Sequence, residues 1–288
     1  MKDKIRILIA GGDMRQIYCA EKLSEQYEIA VIGFDEKYLP EGINSYSVEN
    51  DKKLLYDCIV LPVPSLDEKG NVNTPCFDGQ LGLSDIKKII KTDGIIFVGR
   101  KDNRLNDFFE DIKIIDYMER EDLSLKNAIP TAEGAIQLAL EELPVTLNGI
   151  KALIVGLGRI GMSLAVILKG FGADVTVAVR NSKGAAKARI LGVKSVCTDE
   201  LDTDYELVYN TVPNLIFTRE LLSKFSDKTL FVDLASKPGG IDFESATELG
   251  KRVVWALGLP GKTAPITSGY IIAETISCML SERWINYD

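Results

Sequence analysis

The stretch KALIVGLGRIGMSLAVILKGFGADVTVAVRNS, Lys151 to Ser182, decides how the chain is read. An apolar run from Ala152 to Val155 stops at Gly156-Leu157-Gly158-Arg159-Ile160-Gly161, after which Ile160, Leu164, Ile167, Leu168 and Phe171 recur at helical spacing. The pattern predicts a strand, a glycine turn and a helix. In such a turn Gly156 permits the tight bend, Gly158 lets a pyrophosphate reach the backbone, and Gly161 lets the helix pack on the strand. The N–H groups of the helix N-terminus, at Arg159 and Ile160, supply an anion site. A glycine turn alone is a weak signal, but here a strand precedes it and a second strand, Val175 to Val179, follows the helix.

That second strand ends at Arg180-Asn181-Ser182, roughly twenty residues past the turn, where an NAD-binding unit places a carboxylate on the ribose 2′-hydroxyl. Here the charge is reversed. A carboxylate repels a 2′-phosphate and a guanidinium pairs with one bidentately, so the expected cofactor is NADP, held by Gly156 to Gly161 and by Arg180, Asn181 and Ser182. An isolated arginine after a strand is by default a solvated residue; the position of Arg180 relative to the turn favours the functional reading.

With 288 residues, 46% hydrophobic and 26% charged, the chain has room for two cores in an ordinary globular composition. The net charge of −8 argues against nucleic acid as a partner, and no apolar run approaches a membrane span. Met1 to Arg6 is polar, so no secretory leader is expected. The five cysteines lack metal or CxxC spacing and read as reduced thiols of a cytoplasmic protein. Histidine is absent, which excludes histidine acid/base chemistry and histidine zinc sites; no metal is expected.

The N-terminal half opens with a strand, Ile5 to Ala10, then Gly11-Gly12-Asp13-Met14-Arg15-Gln16 and a helix carrying Ile17, Ala20 and Leu23. The third glycine is missing, so a dinucleotide is not expected there, although Arg15 and the helix N-terminus could receive a carboxylate. A plain turn with a solvated arginine fits the spacing equally well. Strands at Ile29 to Gly33, Cys58 to Val63 and Ile95 to Val98, with a helix from Ser84 to Lys91, imply a parallel sheet. The fold class is therefore α/β, with two Rossmann-like doubly wound domains and a cleft between them: a flavodoxin- or Rossmann-like domain over 1–128 and the cofactor domain over 129–265. The long loop from Pro62 to Gly79 either faces a ligand or is a mobile surface segment.

Pro130 should keep Ile129 out of a helix and Thr131 should cap one, giving a bridging helix over 131–143 that sets Thr131 and Glu133 near the cleft. In the cofactor half a helix is expected over Ser182 to Leu191, and strands at Lys194 to Cys197, Leu207 to Asn210, Thr229 to Leu234 and Arg252 to Ala256. The turn Asn210-Thr211-Val212-Pro213 suits the ribose or nicotinamide of the cofactor. The loops Ala235 to Asp242 and Gly258 to Pro265 read as rigid walls, and the C-terminal helix, 266–288, as packing back on the first domain.

Taken together, GGDMRQ at Gly11 to Gln16, MEREDLSLKNAIPTAEG at Met118 to Gly134, GLGRIGM at Gly156 to Met162, NTVPN at Asn210 to Asn214, VDLASKPGGIDF at Val232 to Phe243 and GLPGKTAP at Gly258 to Pro265 resemble the A subunits of dipicolinate synthase. The resemblance implies the architecture of D-2-hydroxyacid dehydrogenases. It implies an NADP-dependent oxidation of a dihydrodipicolinate, derived from 4-hydroxy-tetrahydrodipicolinate, to dipicolinate during sporulation. It also implies that the partner is the flavoprotein-like B subunit of dipicolinate synthase and that the location is the cytoplasm of the mother cell; a homo-oligomer is expected.

Without histidine, the catalytic set of a hydroxyacid dehydrogenase is not carried over. A substrate with two carboxylates asks for at least two clamps, for which Arg15, Arg120 and Lys237 are candidates, with Asp13, Thr131, Ser236, Gly239, Gly240 and Gly261 around it. Lys237, Asp242, Asp13 or Glu133 could move a proton, Lys237 first among them. Each has a plainer reading: Lys237 as a solvated loop residue, Asp242 and Glu133 as helix N-terminal charges, and Arg120 as the surface partner of Glu119 or Glu121. Two other functions fit the same residues, an NADP oxidoreductase for another small carboxylate and a cofactor-binding scaffold whose partner performs the chemistry.

Overall fold

The computed structural model describes residues 4–46 and 55–285, without the side chains of Asn44 and of residues 283–285. Of the expected segments, residues 1–3 and 47–54 of the first domain and residues 286–288 of the last helix lie outside that description. The chain divides into two compact units, Met1–Asn127 with Ala264–Asp288, and Ala128–Thr263.

The first unit alternates β1 (Arg6–Ala10), α1 (Met14–Ser24), β2 (Glu28–Ile32), β3 (Asn44–Ser45), β4 (Tyr56–Val60), α2 (Leu83–Ile89), β5 (Ile90–Val98), α3 (Asn103–Phe108) and β6 (Lys113–Asp116). The first half of α4 (Glu121–Glu142) follows. All strand pairings are parallel, in the order β3-β2-β1-β4-β5-β6. Period-two alternation explains why the strands are apolar throughout: Ile7 and Ile9 enter the core on one face of the sheet, and Leu8 and Ala10 enter the core on the other.

The second unit holds the rest of α4, then β7 (Lys151–Val155), α5 (Arg159–Gly170), β8 (Asp174–Val179), α6 (Ser182–Leu191), β9 (Lys194–Cys197), β10 (Leu207–Asn210), α7 (Arg219–Lys224), β11 (Leu230–Asp233), α8 (Phe243–Glu248), β12 (Arg252–Trp255) and α9 (Leu259–Thr263). Its parallel sheet runs β12-β11-β10-β7-β8-β9, which is the strand order of the first unit repeated. Both are doubly wound sheets, and in each the order reverses beside the first strand, at β1/β4 and at β7/β10. The closing helix α10 (Pro265–Ile285) belongs to the first unit, where Ile272, Ile276 and Leu280 join the core that contains Ile17 and Leu23 of α1.

Two local expectations are corrected. The helix expected to begin at Thr131 begins at Glu121 and runs through Pro130, so Thr131 is no cap and Glu133 sits mid-helix, exposed. Proline forgoes one intrahelical bond, but Leu123, Ala128, Ala132, Ala135 and Ala139 are all buried along this helix, and their packing outweighs that local cost. The segment after Gly258, read as a loop, contains the short helix α9 with Gly261 inside it.

At the switch point of the first unit the glycine turn is filled from within. The loop after β4 lies over it: Gly12 N–H donates to the Asn73 carbonyl at 2.9 Å, and a Cβ on Gly11 would stand 2.8 Å from that same oxygen. The absence of a third glycine thus has a structural counterpart.

Candidate functional site

In the second unit the corresponding turn is open. Gly156 leaves β7 with φ +93°, and a Cβ there would meet Thr211 Oγ1 at 2.5 Å, so the turn after β7 and the turn after β10 lie against each other. Gly161 has no room either, because its Cβ would collide with the Gly156 carbonyl, whereas a Cβ on Gly158 would meet nothing within 4 Å. The helix is therefore pressed onto the strand at one glycine while the space above the other is clear, which is what a pyrophosphate needs at a helix N-terminus.

Around this turn lies a groove of about 710 Å³. Its floor is Gly156 to Gly158, one end is Arg180, Asn181, Lys183 and Lys187, and the other is the turn Thr211 to Ile216 with Pro213. Arg180, Lys183 and Lys187 form no ion pair among the described residues. Asn181 caps α6 by accepting the Gly184 N–H at 2.9 Å, and this sets Lys183 and Lys187 one helical turn apart along the groove. Sequence reading missed both lysines, although their spacing after Arg180 was visible. Ser182 is the first residue of α6, Arg159 is exposed at the start of α5, and Ile160 packs its side chain against the core.

Asn210 does not face the groove. Its buried amide donates to the Val212 carbonyl at 3.0 Å and to Asp233 Oδ1 at 2.8 Å, and it accepts from the Val212 N–H, so it builds the turn from inside. Asp233, which sequence reading did not single out, is fully buried. Its carboxylate also accepts the N–H groups of Ala235 at 3.0 Å and Gly240 at 2.8 Å. The Gly239 N–H donates to the Ser236 carbonyl, so the donors of Gly239 and Gly240 proposed for a substrate are spent within their own loop. Ser236 and Lys237 are exposed at the crown of that loop, and no ion pair occupies the lysine among the described residues.

Asp242 caps α8 instead of standing ready as a base. Its carboxylate accepts the backbone N–H of Ser245 at 3.0 Å and the Ser245 hydroxyl at 2.7 Å, and these bonds hold its carboxyl below the usual range. In the first unit, Arg15 is clasped by Asp13 through Nε at 2.9 Å and Nη2 at 2.8 Å, with Nη2 also donating to the Val63 carbonyl. Arg120 pairs with Asp122 at 3.0 Å and with Glu282 at 2.8 Å, rather than with Glu119 or Glu121. This fastens α10 to the start of α4 and leaves the guanidinium no free edge for a substrate. Among the described residues no cluster of three metal-ligating side chains occurs, and no helix is long and apolar enough to cross a membrane.

Residues 6–118 match the N-terminal domain of dipicolinate synthase A subunits, and residues 130–236 match the NAD binding domain of D-isomer specific 2-hydroxyacid dehydrogenases. The chain is 35% identical to the A subunit of dipicolinate synthase from Bacillus subtilis (strain 168), over 96% of both chains. The crystal structure of the Bacillus subtilis dipicolinate synthase A chain superposes with a TM-score of 0.88 at 33% identity, covering 99% of each chain. That of the corresponding dipicolinate synthase chain from Bacillus halodurans does so at 0.88 and 32%, covering 96% of this chain and 97% of the other.

Proposed function

This chain belongs to the family of dipicolinate synthase A subunits, and we propose that it oxidises a dihydrodipicolinate ring to dipicolinate with NADP as hydride acceptor. The observation that carries the reading is the groove over Gly156 to Gly158, closed at one end by Arg180, Lys183 and Lys187. Arg180 at the end of β8, where an NAD-specific unit places a carboxylate, and Lys183 and Lys187 on α6, none with an ion pair among the described residues, are the chemistry of a 2′-phosphate receptor. Residues at the ends of β7, β8 and β9 would then hold the adenosine half, and residues at the ends of β10 and β11 the nicotinamide half.

Held there by Gly156 to Gly158, Arg180, Lys183 and Lys187, NADP would supply the acceptor for the hydride that leaves a ring carbon. A proton leaves with it, so the balance is dihydrodipicolinate and NADP⁺ giving dipicolinate, NADPH and H⁺. When the ring arrives as the 4-hydroxy form, one water departs before the oxidation. Aromatisation drives the step and lowers the demand on a base, in keeping with a chain that has no histidine. Lys237, displayed at the end of β11, is suited to hold a ring carboxylate or to move the proton. The relatives are each named as one chain of a synthase, which supports a role beside a flavoprotein-like B subunit. The setting proposed for it is the mother-cell cytoplasm during sporulation, with the chain as a homo-oligomer.

The test is the appearance of NADPH absorbance, with dipicolinate followed separately, when the purified chain meets NADP and freshly generated 4-hydroxy-tetrahydrodipicolinate, with and without the B subunit. Parallel formation of both products is expected. Binding of NADP without reduction under either condition would favour a scaffold instead.

A further inference from the structure

The carboxylate of Asp233 is a buried charge that the proposed reaction leaves unexplained. It is 0% exposed, and no ion pair neutralises it among the described residues. Burying such a charge is costly unless hydrogen bonds compensate for it. Here three N–H donors do so: the Asn210 amide at 2.8 Å, Ala235 N–H at 3.0 Å and Gly240 N–H at 2.8 Å. The last two come from the two feet of one arch, Ala235 to Gly240, whose crown carries Lys237.

The surroundings are cut to fit. A Cβ on Gly240 would strike the Asn210 amide, and one on Gly239 would stand 2.9 Å from Asp233 Oδ2, so only glycines let the carboxylate sit beneath the arch. Trp255 Nε1–H braces the arch from outside by donating to the Ala235 carbonyl at 3.2 Å, its ring stacked on Phe243. A lysine at the crown of a loop pinned at both feet has a fixed root. Asn210, the in-register neighbour of Asp233 on β10, ties the same carboxylate to the turn that walls the cofactor groove.

We infer that Asp233 is a positioning residue, holding the arch so that Lys237 meets the substrate over the nicotinamide half of the groove. The inference rests on the oxidoreductase reading above and concerns how its site is held together. A carboxylate suits this place because both its oxygens accept, taking the N–H groups of both feet and the Asn210 amide together, whereas an amide there would turn an N–H donor toward another donor.

The test is a double-mutant cycle of Asp233→Asn and Lys237→Ala in the full chain. It reads kcat, NADP affinity, binding of pyridine-2,6-dicarboxylate to the NADP-loaded protein, and amide exchange across Ser236 to Gly239. Asp233→Asn should lower kcat about thirtyfold and dicarboxylate affinity about tenfold, keep NADP affinity within about threefold, and speed exchange in the arch. In the Lys237→Ala background it should cost nothing further, because the lysine through which it acts is gone. Trp255→Phe, which removes one brace and keeps an aromatic ring beside Phe243, serves where Asp233→Asn fails to fold, and should show a smaller kcat loss with the same dependence on Lys237. Additive losses, or unchanged turnover in a folded Asp233→Asn protein, overturn the inference while wild-type turnover leaves the oxidoreductase reading standing. A wild type that neither reduces NADP nor binds the dicarboxylate overturns both.

Discussion

Arg120 and Glu282 stand 162 residues apart in sequence and 2.8 Å apart in space, and with Asp122 and Cys278 they form one polar fastening between α10 and the start of α4, beside the Lys126–Glu274 pair. Replacing Arg120 with Ala removes several hydrogen bonds from partly exposed groups, for which the expected result is a midpoint of thermal unfolding lower by a few degrees. NADP affinity should stay unchanged, since Arg120 belongs to the unit without the groove. Calorimetry with a parallel NADP titration checks both; a selective loss of substrate binding would return Arg120 to the clamps.

The same fastening adds to the sensitivity to acid. The Arg120 guanidinium holds the carboxyls of Glu282 and Asp122 below their ordinary values. Groups depressed in the folded state contribute stability that is fully present above their unfolded values, near pH 4, and lost as the pH falls through the folded ones. Stability should therefore decline below about pH 4.5, and the decline should be shallower in Arg120→Ala, where the two carboxyls return toward ordinary values. Urea denaturation at stepped pH reads the two slopes.

Cofactor choice should rest on charge at the end of β8. Arg180→Asp is expected to weaken NADP binding roughly 30–100-fold, the worth of a bidentate charge-assisted pair, with NAD affinity little changed. Lys187→Ala and Lys183→Ala should each cost NADP a smaller factor of about three to ten. Fluorescence titration with NADPH and NADH separates the cases, and equal losses for both nucleotides would remove the 2′-phosphate from this end of the groove.

Two glycines in one turn should fail in different ways. Gly158→Ala adds a methyl where nothing lies within 4 Å, so the protein should fold with its usual midpoint and bind NADP at least about tenfold more weakly. Gly161→Ala drives a methyl into the Gly156 carbonyl and should cost about 1–3 kcal/mol of stability as well as the nucleotide. Denaturation midpoints and NADPH titration on the same two samples distinguish them.

The sequence was most legible where local pattern and burial agree. The helix Ser182 to Leu191 and the strands Lys194 to Cys197 and Leu207 to Asn210 have the expected bounds; Asn181 and Gly192 bracket the helix, and Asn210 closes the last strand. Strand β6 was passed over because KIID is short and half-polar at a sheet edge. The start of α4 was misplaced because the rule about residues before proline is local, and the burial that overrides it is not. In the site, the glycine turn and Arg180 were readable from spacing. Asp233 was not: a carboxylate closing a strand reads as an ordinary loop charge, and only the folded backbone brings the N–H groups of Ala235 and Gly240 to it. For the same reason Asp242, Asn210 and Arg120 looked like chemistry and are engaged in holding turns and helices.

The carbonyl of Asn73, seated on Gly12 at the end of β1, fixes a stoichiometry. The chain carries one strand order twice, and a sheet of that order is ordinarily a nucleotide receptor. In the first copy the receptor's place is filled by the chain's own loop. Titration with NADPH should saturate at one nucleotide per chain, so that the duplicated architecture would carry a single nucleotide site, with the first sheet free to have been shaped for other contacts.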